Sequence, residues 1–271
     1  MPLAHAVIEP PSGKAEKWML FLHGILGSGA NWRTFARGFV KERPEWGAVL
    51  VDLRLHGDST TGFAAPHTVA AAAADVHELF GLVPGPVRGV LAHSFGGKVA
   101  LALNDRVHGD LDQLFVIDAT PGARPDARGS ESTKHIVELL ASLPEELASR
   151  DEFMKLLEER GVTRPIAMWL AMNVRPVPNT TKFVFRIDVA AVKQMLADYF
   201  AIDLWPVVEN DEGAVYKHLV VGGKSSVVDD ADRERWRNAP RATVDVIDEA
   251  GHWVHADAPD ALRGIVLRHL S

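Results

Sequence analysis

The chain contains no cysteine, which excludes disulfide bonds and thiol chemistry. Its 29 Lys and Arg residues are outnumbered by 36 Asp and Glu residues, so the net charge is −7, and no basic stripe is present. We therefore expect no nucleic-acid partner. No apolar run is long enough to cross a bilayer, and residues 1–5 lack the charged start of a signal peptide. These absences predict a cytoplasmic protein that does not act at a membrane.

Short apolar runs alternate with helical patterns along the first half of the chain, and hydrophobic residues make up 47% of the total. This alternation is typical of an α/β fold with a mainly parallel sheet and right-handed crossovers. Functional sites in such sheets lie at the carboxyl ends of the strands. Strands are predicted at 3–9, 18–22, 48–51, 90–92, 114–117, 218–221 and 242–247, and helices at 31–42, 67–83, from the turn at 94 to about His108, 229–238 and 259–270.

The alternation stops between residues 124 and 205, where no central strand is predicted. The segment instead has helical patterns at 132–143, 150–157, 163–172 and 189–200. We therefore predict a core of residues 1–123 and 206–271, with residues 124–205 forming a helical cap inserted over the strand ends. The cap holds four of the six methionines, which we expect mostly to pack within it, while one or two line a pocket. These are Met154, Met168, Met172 and Met195.

The most informative stretch is residues 87–100, an apolar strand followed by small residues and then a helix. Ala92 and Gly96 lie two residues before and two residues after Ser94. A strand that reverses sharply into a helix needs small residues at those positions and exposes the central hydroxyl, which describes a nucleophile elbow with Ala at its first small position. The alternative interpretation of Ser94 is an ordinary helix N-cap. Residues 92–96 alone do not decide between a nucleophile elbow and an N-cap.

Two further loops follow predicted strands. The glycine-rich loop at 23–29 is placed to hold a phosphate, but it lacks the Lys-Ser/Thr pair of a P-loop. Its alternative use is an oxyanion hole made of backbone N–H groups. The loop at 52–59 carries charges and a histidine but has no zinc-ligand spacing that we can defend. We interpret it as a polar loop whose backbone is held in shape by Asp52 and Arg54.

A histidine follows the last predicted strand. His252, preceded by the small Gly251, is placed to take a proton from Ser94 and return it to a leaving group. His255 is a competing candidate, ranked lower because it lies where the chain enters the final helix. Ser94, an acid and His252 would then follow each other along the chain as nucleophile, acid and base.

Together the loop after His23, the 52–59 stretch, the elbow at 93–98 and the sequence around His252 resemble the α/β-hydrolase superfamily, in particular the small capped esterases of bacteria and mitochondria. The resemblance covers essentially the whole chain, with the cap matched weakly. It implies an α/β-hydrolase fold and a serine hydrolase without cofactor or metal. It also implies an oxyanion hole formed by the backbone N–H groups of Phe95 and Ile25.

The chain departs from this superfamily at the acid. Members often carry Asp in a G-x-x-D pattern after the penultimate strand, whereas here that pattern ends in Ser225. We predict that Asp118, at the end of the strand beside the elbow strand, is the acid and that Ser225 supports it. The alternative for Asp118 is a turn-initiating residue. Asp229 and Asp230 are explained more simply by a helix N-cap.

The leading prediction is therefore hydrolysis of a small-molecule carboxylic ester or thioester through an acyl-enzyme intermediate. The same residues also suit C–C bond hydrolysis of a diketone-like metabolite, and the same fold suits a non-catalytic ligand receptor. The acyl length, the leaving group, the use of coenzyme A esters and the oligomeric state are left open. Four basic residues that could meet phosphates are expected to be solvated instead: Lys98, Arg124, Arg128 and Lys134.

Overall fold

The computed structural model describes residues 2–107 and 109–270. Its strands are β1 (His5–Ile8), β2 (Lys17–Leu22), β3 (Trp46–Val51), β4 (Val87–His93), β5 (Gln113–Ile117), β6 (Val174–Pro176), β7 (Phe183–Phe185), β8 (Tyr216–Gly222) and β9 (Ala242–Ile247). Seven strands form one sheet in the order β1-β3-β2-β4-β5-β8-β9. Only β1 pairs antiparallel within it, so the prediction of a mostly parallel α/β sheet is confirmed.

Helices cover both faces of this sheet, which explains why its central strands are continuous apolar runs. The helices are α1 (Arg33–Glu42), α2 (Val69–Glu78), α3 (Phe95–Val107), α4 (Glu131–Leu140), α5 (Arg150–Glu158), α6 (Arg164–Leu170), α7 (Val189–Ala201), α8 (Trp205–Glu209), α9 (Asp230–Arg237), α10 (Val254–Asp257) and α11 (Pro259–His269). The position predicted for the end of α3, His108, lies outside the described residues.

Two apolar clusters make up the interior. One face of the sheet packs against α1 and α11, with Trp32, Phe35 and Phe39 buried. The opposite face packs against α2 and α3. In β4, six of seven residues are buried, so the strand that leads to Ser94 is fixed on both sides. The sheet therefore provides a rigid support for the loops at its carboxyl edge.

The segment between β5 and β8 contains α4 to α8 and a separate two-stranded antiparallel sheet of β6 and β7. No described residue of this segment pairs with the central sheet, in keeping with the pattern seen in the sequence. The small sheet was missed because each of its strands has only three residues. The short helix α10 was also missed, since no element is predicted between the strand at 242–247 and the helix at 259–270.

Among the described residues, none of the helices combines the length and apolar character that a membrane crossing would require.

Candidate active site

Ser94 occupies a sharp turn between β4 and α3, with a φ of +53°. This left-handed conformation is costly for a residue with a side chain and is typical of a nucleophile elbow. The turn leaves no space beside it: a Cβ on Gly96 would lie 2.6 Å from the carbonyl oxygen of His23. The backbone N–H of Ser94 donates to the carbonyl of Ile117 at 2.9 Å, which ties the turn to the neighbouring strand β5.

The side chain of Ser94 contacts His252 rather than capping the helix. Its Oγ lies 3.1 Å from Nε2 of His252, and Nδ1 of the same ring lies 2.7 Å from Oδ2 of Asp118. The structure thus brings together the three side chains chosen from the sequence, although His252 is 158 positions from Ser94 and 134 from Asp118. His255, the competing candidate, lies on α10 and makes neither contact.

Asp118 ends β5 and is completely buried. Besides His252, it accepts hydrogen bonds from the backbone N–H of Gly222 at 3.2 Å and from the hydroxyl of Ser225 at 2.5 Å. The Ser225 hydroxyl in turn accepts from the N–H of Val227 at 3.2 Å. Three donors therefore compensate the burial of this carboxyl group, as a buried acid requires. Ser225 contacts the acid and not the imidazole ring.

The two backbone groups expected to form an oxyanion hole are the N–H groups of Ile25 and Phe95. Within residues 2–107 and 109–270, neither N–H donates to another protein atom. The N–H of Phe95 belongs to the first turn of α3, where helix N–H groups lack intrahelical partners and the helix dipole favours negative charge. Gly24 and Ile25 line the same cleft as Ser94.

The loop that carries Ile25 is held by two buried histidines. His23 donates from Nδ1 to the carbonyl of Gly24 at 2.7 Å and accepts at Nε2 from the N–H of Leu53 at 3.0 Å. His56 donates from Nδ1 to the carbonyl of Arg54 at 2.9 Å and accepts from the N–H of Leu26 at 3.0 Å. Burial lowers the pKa of His23 to about 4 and that of His56 to about 3, so both rings are neutral at pH 7. Each neutral ring links two stretches of backbone.

Asp52 and Arg54 stabilise the same region, as the sequence indicated. The carboxylate of Asp52 accepts from the N–H groups of Gly29 at 2.7 Å and Asp58 at 2.8 Å. The guanidinium of Arg54 forms a two-pronged pair with Asp75 at 2.5 and 3.0 Å. Within the described residues, no cluster of three or more potential metal-ligating side chains occurs.

A third buried histidine, His93, directly precedes Ser94. Its Nε2–H donates to the backbone carbonyl of His252 at 2.8 Å, and its ring centre lies 4.7 Å from that of His252. The ring lies so close to the glycine-rich loop that a Cβ on Gly24 would come within 2.9 Å of Nδ1. Burial holds the pKa of His93 well below its usual value, so the ring is a neutral donor. His93 therefore fixes the backbone that carries His252.

The cleft above Ser94 has about 480 Å³ of space not occupied by protein atoms. Part of its wall comes from the segment between β5 and β8, through Thr133, Ile136 and Trp169. Trp169 meets Trp253 edge to face at 4.5 Å. No local pattern in the sequence predicts these wall residues, because their position depends on how α4 and α6 fold over the sheet.

Two of the four methionines in this segment differ from the prediction. Met195 is buried, as expected for packing, and Met154 packs partly buried against the core. However, Met168 and Met172 are 55% and 47% exposed and do not line the cleft. Met168 lies on α6 and Met172 lies two residues after its end, and both are exposed to solvent, so they serve neither of the predicted purposes.

Three of the four basic residues expected to be solvated make hydrogen bonds or ion pairs, although Arg128 is exposed as expected. Lys98 is fully buried, and its Nζ donates to the carbonyls of Gly122, Tyr199 and Ile202 at 2.8, 2.7 and 3.0 Å. Burial lowers its pKa to about 8. This ammonium group links the turn after β5 to the end of α7, because it can satisfy three carbonyls at once.

Arg124 and Arg128 converge on the start of α9. Arg124 lies 2.5 Å from Asp232 and 3.3 Å from Asp229, and Arg128 lies 3.3 Å from Asp229. Asp229 caps α9 by accepting from the N–H of Asp232 at 2.9 Å, which confirms the N-cap interpretation. Lys134 is exposed, as expected.

Similar proteins point to one family. The fold matches that of an esterase from a marine microorganism with a TM-score of 0.83, at 23% identity and over 98% of both chains. The "sn-1-specific diacylglycerol lipase ABHD11" of Mus musculus is 28% identical over 263 residues, which cover 93% of this chain and 80% of the relative. The "Esterase YbfF" of Escherichia coli is 25% identical over 258 residues, which cover 93% and 92%.

A family-level match covers nearly the whole chain. The model of the Alpha/beta hydrolase family matches residues 19–265, a span that includes the sheet from β2 onward, the elbow at Ser94 and His252. The chain belongs to the Alpha/beta hydrolase family.

Proposed function

We propose that this protein is a serine hydrolase that cleaves carboxylic esters or thioesters through an acyl-enzyme intermediate. The observation that carries the proposal is the continuous hydrogen-bonded series from Ser94 Oγ to His252 to Asp118, at 3.1 and 2.7 Å. The names of its relatives, an esterase and a diacylglycerol lipase, support ester substrates. An intact nucleophile and base argue against a receptor without activity.

In the first half of the reaction, Ser94 Oγ attacks the substrate carbonyl carbon while Nε2 of His252 takes the hydroxyl proton. The resulting imidazolium is stabilised by the carboxylate of Asp118, whose own position is set by Gly222 and Ser225. Collapse of the tetrahedral intermediate breaks the bond to the leaving group. His252 returns the proton to the departing alcohol or thiol, and the acyl group stays on Ser94.

The negative charge that develops on the carbonyl oxygen needs donors that are already in place. We assign this task to the backbone N–H groups of Phe95 and Ile25. Their side chains take no part, so the surrounding structure has only to hold the two peptide groups. The braced loop around His23 and His56 supplies that rigidity for Ile25.

In the second half, a water molecule attacks the acyl-enzyme and gives a proton to His252. Collapse of the second tetrahedral intermediate releases the carboxylic acid and restores the Ser94 hydroxyl. No cofactor is required for either half. Residues 1–123 and 206–271 provide this machinery in the proposal, and residues 124–205 act as the cap that shapes the small-molecule site.

Steady-state hydrolysis of p-nitrophenyl esters of increasing acyl length tests the proposal. The native protein should turn over these esters, and Ser94→Ala should lower kcat by at least about 10³-fold, since the nucleophile is lost. Thermal unfolding of both proteins controls for folding. Labelling by a fluorophosphonate probe provides an independent measure of an activated serine.

Turnover that survives in Ser94→Ala would show that Ser94 is only a turn residue. Labelling by the probe without turnover of any ester would favour C–C bond hydrolysis by the same residues. A native protein that neither turns over esters nor reacts with the probe would instead be a ligand receptor.

A further inference from the structure

A second cavity lies against the catalytic cleft, and we call it the outer groove. It has about 780 Å³ of space not occupied by protein atoms, part of which is open solvent. The residues that line it are Asn31, Pro165, Ile166, Trp169, Trp253, His255, Ala256 and Asp257. Four of them, Asn31, Trp169, Trp253 and His255, also line the cleft that contains Ser94. The two cavities therefore share a wall.

The shared wall is mainly aromatic. Trp169 comes from α6, in the segment between β5 and β8, whereas Trp253 directly follows His252. Their rings meet edge to face at 4.5 Å with an interplanar angle of 73°. Beyond this pair, Pro165 and Ile166 of α6 and Ala256 of α10 line the outer groove but not the cleft.

The outer groove offers little to a charged ligand. The carboxylate of Asp257 already accepts from the N–H of Gly251 at 2.8 Å, and the side-chain oxygen of Asn31 accepts from the N–H of Ser28 at 2.8 Å. Burial lowers the pKa of His255 to about 4, so its ring is neutral at pH 7. The remaining lining is apolar or aromatic. A hydrocarbon chain loses contact with water there without displacing a bound charge.

Phosphate-bearing groups fit the groove poorly. No lysine or arginine is among its lining residues. The nearest basic residue in sequence, Arg164, is paired with Glu158 at 3.3 Å. A nucleotide-linked leaving group would meet apolar side chains and the carboxylate of Asp257 here rather than the cationic donors that phosphate needs.

We propose that the outer groove binds the hydrocarbon chain of the ester while its carbonyl group lies at Ser94. The chain passes the Trp169–Trp253 pair, and Ile166 contacts its distal carbons. This inference rests on the proposed hydrolase function and names its substrate class: esters with a chain of several methylenes, too long to be held in the cleft alone. Each methylene that reaches the groove and loses its water contact raises kcat/KM by up to about fourfold.

Ile166→Asn tests this assignment, with Met168→Asn as the matched control. Both residues lie on α6, but Ile166 lines the groove and Met168 is 55% exposed outside it. We compare kcat/KM for p-nitrophenyl octanoate with that for p-nitrophenyl acetate, and for octyl acetate with that for ethyl acetate. In one of the two series the long-to-short ratio should fall about tenfold in Ile166→Asn and stay unchanged in Met168→Asn. The affected series identifies whether the acyl or the alcohol chain enters the groove.

A second variant guards against a folding defect at Ile166. Ala256 is exposed and lines only the outer groove, so Ala256→Phe should fill the groove without disturbing the core. It should lower the same ratio by a similar factor. The inference is overturned if both groove variants leave both ratios unchanged, or if Met168→Asn lowers them equally.

A binding measurement separates failure of the groove from failure of the hydrolase proposal. 1-Octanol is titrated into Ser94→Ala protein, with tryptophan fluorescence reporting on Trp169 and Trp253. Octanol binding should weaken about tenfold when Ile166→Asn is added and remain the same with Met168→Asn. Absence of ester turnover alongside this binding pattern would contradict the proposed chemistry but support the groove. Equal octanol binding in both double variants would overturn the groove whatever the activity.

Discussion

The histidines around the glycine-rich loop and the histidine beside the elbow have entirely different hydrogen-bond partners. In the region around the glycine-rich loop, His23 and His56 are at most 1% exposed and bind only backbone groups. At the elbow, the His252 side chain is 24% exposed and binds the side chains of Ser94 and Asp118. The same imidazole group is a structural brace in one region and a proposed proton carrier in the other.

The hydrogen-bond partners of the ring and its burial separate the two roles. A buried ring with both nitrogens bound to the backbone cannot accept a proton without breaking a hydrogen bond and charging an apolar site. A ring bound on one side to a hydroxyl and on the other to a carboxylate can accept one, because the carboxylate stabilises the imidazolium. Three experiments test this distinction, and each changes a different kind of hydrogen-bond partner.

The largest effect is expected from the carboxylate partner. Asp118→Asn should lower kcat for p-nitrophenyl esters by about 10³- to 10⁴-fold, since the charge that stabilises the imidazolium is removed. Ser225→Ala removes only one of the three donors to Asp118 and should cost less than about tenfold. Steady-state measurement of kcat for both variants compares the two losses. A larger loss in Ser225→Ala would transfer the acid's role to the loop after β8.

A smaller effect, on stability, is expected from the brace. The low pKa of about 3 for His56 means that, below pH 6.5, the unfolded chain takes up a proton that the folded protein refuses. The free energy of unfolding should therefore decrease as the pH falls from 6.5 to 5, and His56 should account for about 2 kcal/mol of that decrease. Urea unfolding of His56→Gln should show a decrease smaller by this amount.

The control for that experiment is His135→Gln, which changes an exposed histidine on α4. It should leave the pH dependence of unfolding unchanged. If His56→Gln and the native protein lose equal stability between pH 6.5 and 5, the interpretation of His56 as a neutral brace is wrong.

The smallest effect is expected at His93, which belongs to both groups. It is a buried neutral ring that binds a backbone carbonyl, but that carbonyl belongs to His252. His93→Phe keeps a ring but removes the donor, so kcat should fall about tenfold as the His252 backbone shifts. His93→Gln retains an N–H donor and should recover most of the loss. Equal losses in the two variants, at equal thermal stability, would show that ring packing rather than the hydrogen bond is what matters.

The sequence predicted the parts of the fold that depend on local pattern. The strand predicted at 242–247 matches β9 residue for residue, and the apolar runs place the central strands correctly. The short strands β6 and β7 were not predicted, because three residues are too few to show a periodic hydrophobic pattern. Their pairing depends on contacts made elsewhere in the segment.

The candidate site shows the same division. Ser94, Asp118 and His252 were identifiable because each follows a predicted strand, and parallel strands end at one edge of a sheet. The brace formed by His56 and the wall formed by Trp169 were not identifiable, because each depends on contacts across at least 30 positions of chain. The burial of Lys98 was missed for a related reason. A lysine on a helix is expected to be solvated until the elements packed around it are known.

The position of the acid on β5 has a consequence for how the chain is made. Ser94 and Asp118 leave the ribosome early, whereas His252 follows Asp118 by 134 positions and comes after the last strand of the sheet. At translation rates of about 5 to 20 residues per second, roughly 7 to 27 seconds separate their synthesis. During that interval the nascent chain carries the proposed nucleophile and acid without the proposed base. In the proposed mechanism, ester hydrolysis therefore cannot begin until β9 at the edge of the sheet and the loop after it have been made.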